Sequence, residues 1–427
     1  MSGASGGHPW AERRLHFIGI GGAGMSGLAL VCARLGATVT GSDRADSSYL
    51  ERLRAAGLEP MVGHDAANLP EGAEVVVSTA IGEDNPELVL AREREVEPIH
   101  RGALLAQLCA EKRLIAVAGT HGKTTTTAMI VWALRAIGAD PAFFVGGEVP
   151  GLGEDGGAAN AGWGEGEWVV AEADESDGSF LDLKPEIAVI TNVEMDHHSR
   201  WGSLAELQEA FRRFTESARA VVEFDLASPG PADLSLAVPG DHNRLNARAA
   251  LGAIELAGFD VAPAANALET FPGVKRRLEF KGRRGAVSIY DDYAHHPTEV
   301  RAALSALREL QPPRLLAVFQ PHLYSRTKAF AAGFGAALTL ADEVVVLDVY
   351  PAREEPVGEL EGVSGLQVAE AAADRGGGMP VAWTPTSAAA ERFLTERLER
   401  AGDRAVLVTI GAGDVFRLGE ALVEEGP

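Results

Sequence analysis

Cysteine and long apolar runs are scarce in this chain of 427 residues, and each scarcity excludes a class of protein. The two cysteines, Cys32 and Cys109, are too few for a disulfide scaffold or a zinc cluster. No run approaches the roughly 18 apolar residues of a membrane-spanning helix. Residues 1–10 lack the basic and apolar segments of a signal peptide. We therefore predict a cytoplasmic protein with no membrane partner.

Basic residues are outnumbered as well. The 61 Asp and Glu residues exceed the 38 Lys and Arg residues, which gives a formal net charge of −23. Because non-specific nucleic-acid binding needs a basic surface, we expect no nucleic-acid partner. Anionic substrates remain compatible with this charge, since a helix N-terminus and a nearby cation can bind phosphate in an acidic protein.

Short apolar runs alternate with longer segments of helical period, which is typical of parallel α/β domains. The alternation begins three times, near residues 15–20, 114–118 and 287–290. Breaks between these units are predicted around residues 109–113 and 271–275. The sequence thus predicts an α/β fold of three consecutive domains, which we place at residues 1–110, 111–273 and 274–427.

The strongest local motif is A-G-T-H-G-K-T-T-T-T at residues 118–127, between an apolar run and a helical segment. A strand, a glycine turn and a helix N-terminus present free backbone N–H groups to phosphate oxygens. Lys123 can reach the terminal phosphates, and the Thr124 hydroxyl can bind Mg²⁺. The motif therefore predicts a nucleoside triphosphate site, formed by Gly119, Thr120, His121, Gly122, Lys123, Thr124 and Thr125.

A second glycine motif, H-F-I-G-I-G-G-A-G-M-S-G, occupies residues 16–27 and contains G-x-G-x-x-G at Gly19, Gly21 and Gly24. Asp43 follows at the end of the next predicted strand, as in dinucleotide-binding domains. The motif alone is weak evidence. The residues support a diphosphate at a helix N-terminus, and that diphosphate could belong to NAD or to a UDP-sugar.

Acidic and histidine-containing motifs follow predicted strands. A-E-A-D-E-S-D-G-S-F at residues 171–180 offers carboxylates suited to Mg²⁺, although a solvated acidic turn is the alternative. Asp196-His197-His198 also occurs in metal-dependent phosphoesterases, but the sequence shows no further part of such a cluster. The segment at 239–250 opens a helix with polar residues, and the segment at 290–299 closes a strand with two acids and two histidines before a helix that starts at a proline. Simple helix capping is the alternative for both.

Taken in order, these motifs resemble the Mur ligase family over nearly the whole chain, from His16 to Asp414. G-T-H-G-K-T-T, E-A-D-E-S-D, N-V-E-M-D-H, H-N-R-L-N-A and D-Y-A-H-H-P-T-E are similar to the family's motifs. I-G-I-G-G-A-G-M-S-G, F-Q-P-H-L-Y-S-R-T, D-V-Y-P-A-R-E-E-P and the terminal G-A-G-D resemble the branch that adds alanine. The resemblance implies a Rossmann-like N-terminal domain for a UDP-sugar, a central P-loop ATPase-like domain, and a Rossmann-like C-terminal domain for the amino acid.

The resemblance also implies substrates and a reaction. ATP and Mg²⁺ activate the lactyl carboxylate of UDP-N-acetylmuramate as an acyl phosphate, and the amine of L-alanine then displaces phosphate. Lys123 and Mg²⁺ would neutralise the charge that gathers on the phosphoryl oxygens. The first glycine loop is thereby reassigned from NAD to the UDP-sugar. The UDP-sugar-binding residues implied are Gly19, Gly21, Gly22, Ala23, Gly24, Asp43, His64, Asn68 and Ser78.

The remaining roles are also implied by the resemblance. Thr124, Glu172 and His197 hold magnesium. Asn243 contacts adenine, Asp292 contacts ribose, and Arg276 and Arg277 reach the terminal phosphate. Tyr293 and Arg326 face the amino acid, where Arg326 can pair with its carboxylate. The catalytic residues implied are Lys123, Glu172, His197, Arg277 and Arg326.

The chain departs from the family pattern in its central domain. Only 25 residues separate Phe214 from Gly240, where the family has a much longer stretch. We therefore predict a shortened central domain, whose sheet is either smaller or completed by a second copy in a homodimer. The alternatives for function are a murein-peptide recycling ligase, a non-catalytic binding protein derived from a ligase, and an NAD-dependent oxidoreductase.

Overall fold

A computed structural model describes residues 8–153, 155–196, 200–223, 234–399 and 404–423. Among these residues, strands and helices alternate to build three mainly parallel sheets. The chain divides into two compact units. The first comprises the described parts of Met1–Ser235 and Leu245–Phe271, and the second those of Leu236–Arg244 and Pro272–Pro427.

The first sheet is wholly parallel and has the strand order β3-β2-β1-β4-β5. Its strands are β1 (Arg14–Ile18), β2 (Thr38–Asp43), β3 (Met61–Val62), β4 (Glu74–Val77) and β5 (Ile99–His100). Its helices are α1 (Ala23–Arg34), α2 (Ser48–Ala55), α3 (Pro86–Glu93) and α4 (Arg101–Cys109). The strand order reverses direction at β1, and ligands of such sheets bind at the carboxyl edge beside that reversal. The first glycine motif follows β1 at this edge.

The second sheet has the order β11-β10-β6-β9-β7-β8, in which β8 pairs antiparallel to β7 and the other pairings are parallel. Its strands are β6 (Arg113–Ala118), β7 (Ala142–Val149), β8 (Ala159–Gly162), β9 (Trp168–Glu172), β10 (Ile187–Ile190) and β11 (Ala220–Glu223). The helices in this part of the chain are α5 (Lys123–Ala136), α6 (Leu204–Glu216), α7 (Asp241–Leu256) and α8 (Val261–Leu268). Strand β6 is buried from Leu114 to Ala118, as its continuous apolar run predicts.

The third sheet has the order β12-β13-β17-β14-β15-β16, with only the β12–β13 pairing antiparallel. Its strands are β12 (Glu279–Arg284), β13 (Val287–Asp292), β14 (Leu315–Phe319), β15 (Glu343–Val346), β16 (Val381–Trp383) and β17 (Ala405–Ile410). Its helices are α9 (Pro297–Glu309), α10 (Tyr324–Leu338), α11 (Leu366–Arg375), α12 (Ser387–Glu399) and α13 (Phe416–Leu422). Short 3-10 helices lie at Pro9–Glu12, Ala66–Asn68, Ser179–Asp182 and Gly358–Leu360.

The first two sheets share one hydrophobic core. Buried side chains of the first, including Leu104 and Leu108, belong to the same cluster as Leu114 and Phe180 of the second. A Cβ atom on Gly102 would lie only 2.3 Å from Cβ of Ser179, so α4 approaches that segment closely. The predicted α/β class is thus confirmed, whereas the boundaries at 110 and 273 stay predictions.

The structure also describes the two cysteines and the apolar character of the helices. Cys32 and Cys109 are free thiols inside the core, and burial raises the pKa of Cys32 to about 12. Across the described ranges, the structure contains no helix with the length and apolar character to cross a membrane. The segment from 224 to 233, within the predicted shortening, lies outside the described residues.

Candidate nucleotide, metal and amino-acid sites

The glycine loop after β1 is closed by backbone contacts and one carboxylate. Gly19 has a positive φ of 81°, and a Cβ there would lie 2.9 Å from Cδ1 of Ile81. The N–H of Gly21 donates to Oδ2 of Asp43 at 2.8 Å. Gly22 caps α1 without a side-chain hydrogen bond, as suits a helix start that receives an anion. The loop and Asp43, which the sequence analysis placed in one motif, therefore lie together in the structure.

Arg101 belongs to this site, although the sequence analysis missed it. It is the first residue of α4, directly after β5, and its Nη1 lies 3.5 Å from where a Cβ on Gly24 would be. Its Nη2 donates to Oδ2 of Asp174 at 2.7 Å and of Asp177 at 3.0 Å. The sequence analysis predicted no strand before Arg101, so no motif marked this residue; its place follows from the short strand β5 that the structure shows. Arg101 places a cation beside the start of α1 and joins it to the acidic segment after β9.

The other predicted UDP-sugar residues lie at the same edge of the first sheet. His64 and Asn68 follow β3, and both contact the buried carboxylate of Glu87. Ser78 follows β4, where its carbonyl accepts the N–H of Ile81 at 3.1 Å. Their positions are compatible with one ligand at the loop, and their roles stay predictions.

The second glycine loop adopts a conformation that only glycine accommodates. Gly119 has a φ of 135°, and a Cβ there would lie 2.1 Å from Oγ1 of Thr191. The N–H of His121 donates to Oδ1 of Asn192 at 3.0 Å, and Nδ2 of Asn192 donates to the His121 carbonyl at 2.9 Å. Thr191 and Asn192, which end the apolar run of β10, therefore hold the loop against the next strand. The loop leads into α5 at Lys123.

Lys123 is held by a carboxylate that the sequence analysis did not assign to it. Its Nζ lies 2.8 Å from Oε2 of Glu175 and also donates to the Gly119 carbonyl at 2.6 Å. The side chains are 12% and 1% exposed. Burial by itself lowers the pKa of Lys123, but the carboxylates of Glu175, Asp174 and Glu172 outweigh it and raise the pKa. Lys123 is therefore a fixed cation at the start of α5.

Glu172 and Thr124 lie together, as a shared metal site requires. The Thr124 hydroxyl donates to Oε1 of Glu172 at 3.1 Å, and the N–H of Gly146 donates to Oε2 at 2.7 Å. Burial raises the pKa of Glu172, more than the nearby Lys123 lowers it. A hydroxyl and a desolvated carboxylate are hard oxygen donors that fit Mg²⁺. His197, the third predicted ligand, lies outside the described residues.

Asp291 and Asp292, at the end of β13, organise the third sheet's carboxyl edge. Oδ2 of Asp292 accepts the N–H of Leu278 at 2.8 Å and Oδ1 accepts that of Ala294 at 2.7 Å. Burial raises the pKa of Asp292 to about 7, although Arg277 lowers it. Asp291 is fully buried, and its Oδ2 accepts a hydrogen bond from Nε of Arg276 at 3.2 Å. The adjacent aspartates therefore fix the backbone on which the predicted Arg276 and Arg277 stand.

The two arginines differ in their contacts. Nη2 of Arg276 donates to the carbonyls of Gly411 at 2.8 Å and Gly413 at 3.2 Å, so this guanidinium holds the G-A-G-D turn. Nη1 of Arg277 lies 3.9 Å from Oε1 of Glu299. Arg277 is thus less tightly held, and both phosphate roles stay predictions.

A row of rings connects the two predicted amino-acid residues. The ring of Tyr293 lies 5.4 Å from that of His295, which lies 6.3 Å from that of His322. Nδ1 of His322 lies 3.4 Å from Nη1 of Arg326, a buried residue in the first turn of α10. Burial lowers the pKa of His322 to about 3, helped by the charges of His295 and Arg326, so its ring is neutral. His322 was missed as a member of this group.

Asn243, the predicted adenine contact, lies in the first turn of α7. It is buried, and its Nδ2 donates to the Pro239 carbonyl at 2.7 Å. The side chain is thereby fixed at the helix start. Its nucleotide role stays a prediction.

Known proteins resemble this chain over almost its full length. Residues 14–113 match the pattern described as Mur ligase family, catalytic domain. Residues 117–227 match the Mur ligase middle domain, and residues 276–413 match the Mur ligase glutamate ligase domain. The chain belongs to the Mur ligase family, whose members are ATP-dependent ligases.

Individual relatives give closer comparisons. The UDP-N-acetylmuramate–L-alanine ligase of Renibacterium salmoninarum is 43% identical over 462 aligned positions, covering 96% of this chain and 95% of the relative. That of Rubrobacter xylanophilus is 42% identical, covering 96% and 99%. The 462 positions exceed the 427 residues of the chain, so the first relative contains residues that this chain lacks. This agrees with a shortened chain.

Solved structures show the same fold. The UDP-N-acetylmuramate-alanine ligase of Thermotoga maritima has a TM-score of 0.82 and 30% identity, covering 96% of this chain and 98% of that one. A murein peptide ligase of Psychrobacter arcticus has a TM-score of 0.68 and 23% identity, covering 97% and 100%. The second comparison supports the fold alone.

Proposed function

We propose that this chain joins L-alanine to the lactyl carboxylate of UDP-N-acetylmuramate at the expense of ATP, in peptidoglycan precursor synthesis. The observation that carries this proposal is the 43% identity, over 96% of the chain, to a UDP-N-acetylmuramate–L-alanine ligase. The loops and side chains of the described sites agree with it. A cytoplasmic location is part of the same proposal, because the nucleotide-linked substrates are made there.

The phosphoryl transfer is assigned to the second glycine loop. Lys123 presents a fixed positive charge at the start of α5, where helix N–H groups favour a phosphate. Mg²⁺, held by Thr124, Glu172 and His197, would neutralise charge on the phosphate oxygens. Lys123 would stabilise the charge that develops as the γ-phosphoryl group moves to the lactyl carboxylate.

The second step forms the amide. The neutral amine of alanine attacks the acyl phosphate, loses a proton, and phosphate leaves with the bonding electrons of its C–O bond. The predicted contacts of alanine are Tyr293 and Arg326, near the neutral ring of His322. A planar guanidinium can hold a carboxylate through two parallel hydrogen bonds, which would orient the amine.

A single assay tests the whole proposal. The purified chain is mixed with UDP-N-acetylmuramate, ATP and Mg²⁺, and phosphate release is followed with L-alanine, glycine or L-serine. We expect one ADP and one phosphate per amide formed, fastest with L-alanine. Activity with glycine should persist, since one methyl group discriminates by only about 1–3 kcal/mol. Incorporation of a whole peptide instead of alanine would identify a recycling ligase, and no release with any acceptor would indicate a non-catalytic protein.

The Arg326→Lys variant should raise the KM for L-alanine tenfold or more. Lysine keeps the charge but loses the paired hydrogen bonds to a carboxylate, and such a charged contact contributes roughly 1.5–3 kcal/mol. The KM values for ATP and the UDP-sugar should stay within about twofold. Lys328→Ala, an exposed position on the same helix, is the matched control and should leave all three constants unchanged. An unchanged alanine KM in Arg326→Lys would place the amino acid elsewhere.

The Arg101→Ala variant should raise the KM for UDP-N-acetylmuramate tenfold or more. The variant removes the cation beside the start of α1, where a diphosphate would lie. Arg113→Ala provides a control. This exposed arginine begins β6, at the end opposite the second glycine loop, and pairs with Glu186. Steady-state kinetics would refute the assignment if the two variants raised this KM equally.

The homodimer also stays a proposal for this chain. Light scattering of the purified protein at several concentrations would measure its mass. A monomer mass together with full turnover would show that the shortened central domain needs no second copy.

A further inference from the structure

Glu87, in the first turn of α3, is a buried carboxylate with no role in the phosphoryl transfer or the amide formation proposed for this chain. Its side chain is fully buried beneath the carboxyl edge of the first sheet. Its Oε2 lies 3.0 Å from Nε2 of His16 and 2.6 Å from Oγ of Ser42. Its Oε1 accepts from Nδ2 of Asn68 at 3.0 Å and lies 3.3 Å from Nδ1 of His64. A carboxylate without solvent is tolerated here because several donors surround it.

The charge of Glu87 determines which groups must donate. Burial alone raises its pKa, but hydrogen bonds from His16, Ser42 and Asn68 outweigh burial and hold the pKa at about 2. The group is therefore ionised at neutral pH and can only accept hydrogen bonds. Each of its neighbours must point a hydrogen towards it.

This requirement sets the tautomer of His64. Ser42 has one hydroxyl hydrogen, which it donates to Glu87, so its oxygen accepts from Nδ1 of His64 at 2.9 Å. Nδ1 therefore carries a hydrogen, and in the tautomer that this contact selects Nε2 is an acceptor. Among the described residues, no side chain or backbone group hydrogen-bonds to this Nε2. The His64 side chain is 18% exposed, so it is partly open to solvent.

The orientation of Asn68 is set in the same way. Its Nδ2 donates to the Gly63 carbonyl and to Oε1 of Glu87, both at 3.0 Å, which uses both amide hydrogens. Its Oδ1 is then a second acceptor, and no described group donates to it. The N–H of Gly63 in turn donates to the carbonyl of Asp43 at 2.7 Å, and Asp43 holds Gly21. The two acceptors therefore belong to the edge that carries the glycine loop.

We propose that Glu87 is a positioning residue for the nucleotide, which fixes His64 and Asn68 as acceptors for a hydrogen-bond donor of the uridine. The proposal rests on the proposed UDP-sugar function. Uridine offers two kinds of donor, the N3–H of uracil and the ribose hydroxyls. N3 of cytosine carries no hydrogen and is itself an acceptor. If His64 and Asn68 accept from N3–H of uracil, the same contact would exclude cytidine nucleotides.

The Glu87→Gln variant of the full chain tests this role. An amide places donors where the carboxylate accepts, so the network no longer enforces one tautomer of His64. We expect the KM for UDP-N-acetylmuramate to rise tenfold or more, while kcat and the KM values for ATP and alanine stay within twofold. Thr40→Val is the matched control. It removes the hydroxyl 2.8 Å from Nδ1 of His16, on the side of the network away from His64, and should leave the UDP-sugar KM unchanged.

A double-mutant comparison separates positioning from general stability. In a His64→Ala/Asn68→Ala background, adding Glu87→Gln should change the UDP-sugar KM by less than twofold, because the residues it positions are gone. The same tenfold effect in both backgrounds would overturn the proposal, as would an equal rise of all three KM values. If the unmodified protein shows no turnover of UDP-N-acetylmuramate, the proposed function itself is refuted. That result differs from the variant effects that would overturn the role of Glu87 alone.

Two measurements on the unmodified protein complete the test and do not depend on the folding of a variant. Nitrogen chemical shifts of the His64 ring should show the hydrogen on Nδ1, and a hydrogen on Nε2 would overturn the proposal. UDP, 3-methyl-UDP and 2′-deoxy- and 3′-deoxy-UDP are then compared as inhibitors. At least one analogue, the one lacking the contacted donor, should bind tenfold more weakly than UDP. Equal inhibition by all four would contradict the proposed contact.

Discussion

Lys123→Ala is expected to abolish turnover. Removal of one preorganised donor from a transition state lowers kcat by roughly a hundredfold to a thousandfold, and we expect at least that loss here. The reason is the fixed cation at the start of α5, which the phosphoryl group needs as charge develops on its oxygens. Phosphate release at saturating substrates measures the effect. Lys184→Ala, at an exposed lysine, is the control and should retain full activity.

The folding consequence of Lys123→Ala can be separated from the catalytic one. Glu175 would be left as a buried carboxylate without its cation, which costs roughly 3–5 kcal/mol in comparable cases. The combined Lys123→Ala/Glu175→Gln variant removes that charge as well. We expect it to recover much of the lost thermal stability but none of the turnover. Near wild-type turnover in either folded variant would refute the role of Lys123.

The second large effect is expected from Glu172→Gln. The substitution keeps the size of the side chain and its capacity to bond Thr124 and Gly146, but removes the negative charge that would bind Mg²⁺. The Mg²⁺ concentration for half-maximal rate should rise tenfold or more. The rate is measured against free Mg²⁺ at fixed ATP. Glu186→Gln, in the ion pair with Arg113, serves as the control, and identical Mg²⁺ curves for both variants would exclude Glu172 as a ligand.

Contiguous motifs made the two loops predictable. The run from Ala118 to Thr125 includes the end of a strand, a turn and a helix start, so its local sequence contains most of the geometry. The pairing of Gly21 with Asp43 was also accessible, because a glycine loop after one strand and an acid at the end of the next strand meet at one sheet edge. Glu172 and Thr124 could be paired for the same reason.

Residues that act through distant partners were not predictable from the sequence. Glu175 stands in a recognised motif, but nothing local shows that it, rather than Asp174, faces Lys123. Glu87 looks like an ordinary acid in the first turn of a helix, where it would favour the helix dipole. Its importance depends on His16 and Ser42, which are 71 and 45 positions away. Such contacts follow from strand order, which a single sequence does not specify.

The core shared by the first two sheets determines how this chain can be divided. A fragment ending at residue 110 would keep Leu104 and Leu108 but lose Leu114 and Phe180, which belong to the same buried cluster. It should therefore expose apolar surface and aggregate, even though it contains the entire first sheet. In chimaeras between members of the family, the first two sheets should therefore come from the same parent. A junction between Phe271 and Pro272 lies where the chain passes from the first compact unit into the main part of the second. Chimaeras of this enzyme that are joined near residue 272 should therefore fold better than those joined near residue 110.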